Sequence, residues 1–166
     1  MVKKIFGVIV LAAVAAACVW YYGFYSTDEA VLRRRIASLE ENLSKESNQS
    51  AVAEAVRLER LSGYPAADGM TVRNVHEYVD GGYSPTSFAS TVIKGGQLCR
   101  ELEVDFSHVE VKIVKSGVAV VTLEGEAEAE LKNGEKIDET RDLTLDFQKI
   151  DGEWKLIGVS SEKIVK

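Results

Sequence analysis

Cysteine, proline and cationic charge are all scarce in this chain. Its 166 residues include two cysteines and two prolines, and 26 acidic residues outnumber 20 basic ones for a net charge of -6. A disulfide needs Cα atoms about 4.4–6.8 Å apart. Cys18 sits in an apolar N-terminal run and Cys99 in an expected helix far along the chain, so no bridge between them is expected. No paired C-x-x-C zinc spacing occurs, and Cys99 reads as a small buried apolar residue. So few prolines, with 13 glycines, argue against disorder in the main body. The acidic balance gives no support to nucleic-acid binding, which needs a concentrated basic surface, so nucleic acid is not among the expected partners. Metalloprotease, P-loop, nucleophile-elbow and Rossmann signatures are missing too, so no cofactor or metal is expected.

What is present begins with "IFGVIVLAAVAAACVWYYGFY". This run of 21 residues from Ile5 to Tyr25 carries no charge. As a helix it would extend about 31 Å, the thickness of a hydrocarbon core. Lys3 and Lys4 precede it, and Trp20, Tyr21, Tyr22, Phe24 and Tyr25 crowd its far end, where amphipathic rings favour the headgroup level. An uncut anchor over residues 1–26, contacting lipid from Ile5 onward, accounts for both the length and the aromatic belt. The alternatives are a lipoprotein modified at Cys18 and cleavage after Ala15-x-Ala17, which would leave a greasy new N-terminus. The two N-terminal lysines favour a domain on the periplasmic or outer side of a bacterial inner membrane. Arg33, Arg34 and Arg35 weigh against that orientation.

Residues 27–166 read as one domain. Leu32, Ile36, Leu39 and Leu43 form one stripe on a helix from Asp28 to about Glu46, with Thr27 as N-cap. The stripe lasts barely two heptads, so packing on its own domain is favoured over a coiled coil. Ser50 caps a second helix across "AVAEAVRLERL" that stops at Gly63. "MTVRNVHEYV" alternates and reads as a strand. Ser84 and Pro85 open a third helix whose face carries Phe88, Val92, Cys99 and Leu102, with Gly95 and Gly96 weakening its middle. From Glu103 the period falls to two. Asn133-Gly134 signals a type I′ hairpin and Asp151-Gly152 the next turn, giving a four-strand antiparallel meander. The fold class is α+β, with three helices on a curved, mainly antiparallel sheet.

The closing segment, with Leu143, Leu145 and Phe147 before the turn Lys149-Ile150-Asp151-Gly152 and then Glu153-Trp154-Lys155-Leu156, resembles the end of nuclear transport factor 2-like domains. The order of elements from Asp28 to Val165 resembles that superfamily as well. The resemblance implies a cone-shaped domain whose sheet wraps a pocket. It also implies a family that includes ketosteroid isomerase, dehydratases, epoxide hydrolases, non-catalytic modules and membrane-anchored secretion subunits. Fold alone does not choose among these.

Proton transfer in such a pocket needs an Asp or His base in a dry setting. His76 and Tyr78 are two apart and would share a face of the expected strand. Asp80, Asp105 and His108 are further candidates near strand ends. Against chemistry, the acids of the meander alternate opposite its aliphatics and read as a solvated face. Two functions follow: a non-catalytic binding or assembly module, or a small-molecule isomerase, dehydratase or hydrolase. The expected contacts are membrane lipid, a protein partner or second copy, and a small apolar ligand.

Overall fold

The computed structural model describes residues 27–161. The expected membrane run, with Ile5, Cys18, Trp20, Tyr21, Tyr22 and Tyr25, lies outside these residues. Among the described residues no helix is long and apolar enough to cross a membrane.

Three helices, α1 (Asp28–Leu43), α2 (Ala51–Ser62) and α3 (Pro85–Leu98), begin where capping chemistry places them. The side chains of Thr27, Ser50 and Ser84 accept from the backbone N–H of Ala30, Ala53 and Ser87, and Pro85 fills the first turn of α3. The strands are β1 (Met70–Arg73), β2 (Gly81–Tyr83), β3 (Cys99–Lys115), β4 (Val118–Leu131), β5 (Lys136–Ile150) and β6 (Glu153–Ser161). They form one sheet in the order β2-β1-β6-β5-β4-β3. All neighbours are antiparallel except β1 and β6, which run parallel. The class is α+β with a mixed sheet.

Several local expectations are corrected. The segment 70–79 is not one strand: β1 ends at Arg73 and a loop intervenes before the short β2. Cys99 and Leu102 belong to β3, so the third helix is shorter than expected, although it runs unbroken through Gly95 and Gly96. Helix α1 stops at Leu43 because Ser44 is extended and Lys45 pairs with Leu102. The type I′ geometry sits at Asp151-Gly152, where φ is 51° and 84°. At the Asn133-Gly134 hairpin only Gly134 has positive φ, and the Asn133 carboxamide oxygen instead accepts from the Glu135 N–H at 3.0 Å.

The stripe on α1 packs inward, with Leu32, Ile36 and Leu39 buried against Val121, Leu145, Phe147, Trp154 and Leu156 of the sheet. Helix α1 also lies along the free edge of β3. Arg33 donates to Val109 O at 2.9 Å, and Glu40 accepts from Phe106 N–H at 2.9 Å. Ser44 Oγ accepts from Val104 N–H at 3.0 Å, and Lys45 exchanges backbone bonds with Leu102. The edge that would template another strand is thereby covered from Leu102 to Val109.

Neither α1 nor α3 has a basic residue in its own last turn. Cations from elsewhere close both helices. The buried Arg57 of α2 donates to Asn42 O at 2.6 Å and Leu43 O at 2.8 Å, at the end of α1. Lys45 Nζ donates to Gly96 O at 2.8 Å and Cys99 O at 2.9 Å, at the end of α3. Orphan carbonyls and the negative pole of each helix are met together. Burial pushes the Arg57 guanidinium below its ordinary value, with Glu54 opposing.

At the other end of α1, Asp28 Oδ1 accepts from Lys149 Nζ at 2.8 Å and Trp154 Nε1 at 3.2 Å. The Lys149 hydrogen bond holds the Asp28 carboxyl below its usual range; partial desolvation opposes this and the Trp154 bond assists.

Two outcomes follow from these contacts. Arg57→Met lowers stability by about 2–4 kcal/mol, because two charge-assisted bonds are lost and buried carbonyls are orphaned. Arg57→Lys recovers only part of this, since one ammonium lacks the fork that reaches two carbonyls; urea midpoints measure both. The depressed Asp28 carboxyl stabilises the fold fully above the unfolded carboxyl range, and that share fades as pH falls through its lower folded value. Comparing acid unfolding of wild type with Asp28→Asn should therefore show a shallower decline for the variant.

Candidate functional site

The side chains on the inner face of the sheet do not fill the space beneath α1 and α3. A cavity of about 210 Å³ remains. Leu39 and Leu43 of α1 and Phe88, Thr91 and Val92 of α3 line it from the helices. Met70 and Val72 of β1, Tyr83 of β2, Phe106 of β3, Leu143 and Leu145 of β5, and Leu156 and Val159 of β6 line it from the sheet, with Val79 from the β1–β2 connection. Among the described residues, no carboxylate, imidazole, amine or guanidinium lines it. Its two hydroxyl-bearing residues are Thr91 and Tyr83, and the Tyr83 hydroxyl already donates to Val79 O at 2.7 Å. Gly125 lets β4 pass beneath this wall: a Cβ there would lie 3.0 Å from Leu143 Cδ1 and 3.5 Å from Phe106 Cε1.

The five polar candidates do not meet in this cavity. His76 and Tyr78 lie in the loop after β1, with stacked rings 5.2 Å apart, and Tyr78 is 83 % exposed. Their alternation in sequence suggested a strand face, but Asp80 takes over the backbone there. Its carboxylate accepts from Asn74 N–H at 2.7 Å, Val75 N–H at 2.9 Å and His76 N–H at 3.2 Å. A side chain that captures three consecutive N–H groups builds a tight loop in place of a ladder. The loop places Val79 in the wall of the cavity. Asp105 is exposed on β3, opposite Glu126. His108 occupies an irregularity of β3 at φ 52°, with Nδ1 3.1 Å from Ser107 Oγ and 3.6 Å from Glu124 Oε1, also outside the cavity. Among the described residues, no cluster of three or more His, Cys, Asp or Glu could hold a metal ion.

The outer face of the sheet carries a different feature. Glu101, Glu103 and Asp105 of β3 stand directly opposite Glu130, Glu128 and Glu126 of β4. Glu128 in turn faces Asp138 of β5, and Glu124 faces Asp142. Arg100 pairs with Glu130 at 3.1 Å, but most of these cross-strand neighbours are like charges. Alternation identifies these acids as solvated; their mutual register was not legible because it depends on pairing between strands.

No family model and no curated protein matches this chain. Solved structures do resemble it. A hexachlorocyclohexane dehydrochlorinase, LinA-type3 from Novosphingobium barchaimii LL02, aligns at TM-score 0.61 and 12% identity, covering 81% of this chain and 84% of its own. A protein assigned as a calcium/calmodulin dependent protein kinase II association domain, from Xanthomonas campestris, aligns at TM-score 0.61 and 15% identity, covering 86% and 93%. An uncharacterized protein with a cystatin-like fold from Caulobacter vibrioides aligns at TM-score 0.59 and 12% identity, covering 79% and 85%. The expected nuclear transport factor 2-like, cystatin-like fold is therefore present. At these identities the likeness is one of fold, and the names of these neighbours divide between an enzyme and an association domain.

The acidic face makes its own prediction. Opposed like charges on a sheet cost stability that salt screens. Added sodium chloride should raise the thermal midpoint of the wild type. Glu128→Lys, which faces both Glu103 and Asp138, should raise the midpoint at low salt and reduce the salt effect, as followed by circular dichroism.

Proposed function

We propose that this chain is a non-catalytic binding module, held at a membrane by its N-terminal run, whose cavity takes a small apolar ligand. The observation that carries the proposal is the cavity's chemistry. Among the described residues, its lining offers no group of suitable basicity to take a proton and no cluster of donors to stabilise an oxyanion. The titratable candidates that would supply such chemistry sit on loops and the outer face of the sheet. An apolar cavity of about 150 Å³ accommodates benzene. A cavity of about 210 Å³ suits a monocyclic or small bicyclic hydrocarbon group.

Anchoring rests on the uncharged length and aromatic belt of Ile5–Tyr25, with lipid attachment at Cys18 as the alternative. In this reading the domain stands on the periplasmic or outer side of the membrane, where it meets a protein partner or a second copy. The second reading, an isomerase, dehydratase or hydrolase in the same pocket, is supported by the dehydrochlorinase among the fold neighbours.

Naphthalene tests the cavity. Its saturable binding should raise the thermal midpoint and shift the methyl resonances of Leu39, Val72 and Val92. Val92→Phe, which adds bulk inside the cavity, should weaken binding at least tenfold while leaving the fold intact by amide spectra. Absence of saturable binding, or binding unaffected by Val92→Phe, would remove the cavity from the function.

A further inference from the structure

We infer that a groove beside α1 receives the phosphate of an anionic lipid headgroup at the membrane surface. This rests on the reading of Ile5–Tyr25 as a spanning segment. The groove has a volume of about 650 Å³ and shares no lining residue with the apolar cavity. Among the described residues, its cations are Arg34 and Arg35 of α1, Arg60 of α2 and Lys155 of β6, and its carboxylate is Glu153. Such a surplus of positive charge is unexpected in a chain of net charge -6.

Two of the cations are fixed in place. Arg35 donates to Gly63 O at 2.6 Å, its guanidinium lies 4.9 Å from the Tyr64 ring centroid, and its Nε is buried without a hydrogen-bond partner. Lys155 Nζ donates to Gly63 O at 3.2 Å and lies 2.7 Å from Glu153 Oε2. Guanidinium and ammonium groups held in this way suit a phosphate oxyanion, and their ordering is completed before it arrives.

The position of the groove favours lipid over a free anion. Helix α1 starts at Asp28, three residues after the aromatic belt ends at Tyr25. Arg34 and Arg35 are therefore only about 10 Å along the helix from its start, close to one Debye length. Charge along the domain is arranged to match. Because α1 runs antiparallel to β3, with Arg33 at Val109 and Lys45 at Leu102, its start lies away from the acidic rows at Glu101–Asp105. An anionic bilayer would attract the entry end and repel the far end.

The test uses the full chain reconstituted into nanodiscs of phosphatidylcholine alone or with added phosphatidylglycerol, read by amide hydrogen exchange. Phosphatidylglycerol should slow exchange at Gly63 and at Gly152–Lys155, and the double variant Arg34→Gln/Arg60→Gln should reduce that protection by about tenfold or more. Arg35 is left in place because it closes α2. Equal exchange in both discs, or protection that survives in the double variant, overturns the groove. Equivalent protection by millimolar inorganic phosphate in phosphatidylcholine discs overturns the lipid as source. A chain that co-elutes with neither disc overturns the spanning segment and this inference with it, and elution separates that failure from the others.

Discussion

The free edge of β3 is the constraint on which the rest of this domain depends. A strand of 17 residues at the end of a sheet presents a long row of unpaired backbone groups. Here the row is met by one helix, through Arg33, Glu40, Ser44 and the backbone of Lys45. Each bond contributes only about 1 kcal/mol net, but leaving such a group half-buried and unpaired costs more. Together they fix the axis and the rotation of α1. That rotation turns Leu32, Ile36 and Leu39 onto the sheet, and it brings the carbonyl end of α1 to Arg57. Lys45, extended because it bridges to Leu102, then reaches the end of α3. One edge contact thus determines the placement of two further helices.

The same economy explains why the interior is so poor in reactive groups. Several polar side chains around the interior are engaged with the backbone. Asp80 holds a loop, Tyr83 holds Val79, Glu40 holds an edge N–H, and Arg57 and Lys45 close helices. A catalytic acid or base must keep a proton position open to substrate, and these groups have none facing the cavity. What faces it is aliphatic and aromatic surface. A fold that hosts a dehydrochlorinase in one protein leaves its chemistry to the lining residues, and among the described residues these are aliphatic and aromatic apart from the hydroxyls of Thr91 and Tyr83.

Much of this was legible in local sequence, for physical reasons that also mark its limit. Thr27, Ser50 and Ser84 each act on the N–H group three residues on, so the helix starts could be read directly. The two-residue period of β4 and β5 reports one buried face, and the absence of carboxylates on that phase anticipated an apolar interior. What could not be read arises between distant segments. Lys45 ends α1 early because of Leu102. The parallel pairing of β1 with β6 leaves no local pattern. His76 and Tyr78 alternate like strand residues, yet Asp80 captures the N–H groups on which a ladder would depend. The two glycine turns exchanged roles because β4 and β5 leave four residues to connect at Asn133-Gly134, whereas Ile150 and Glu153 pair directly across Asp151-Gly152. The cavity itself is a void left by packing, and no single residue encodes it.

Net charge was the least informative of the sequence quantities. A value of -6 describes a mildly acidic protein, but the charges are not mixed evenly. Carboxylates are concentrated in register across β3, β4 and β5, while cations collect beside the start of α1 and the β5–β6 turn. Selection for stability alone would intersperse these signs, since opposed acids on adjacent strands repel and their replacement by a cation would relieve that cost. Retaining such a separation makes physical sense where orientation matters more than the lost stability. Uneven charge gives a domain a preferred attitude toward any charged surface it meets.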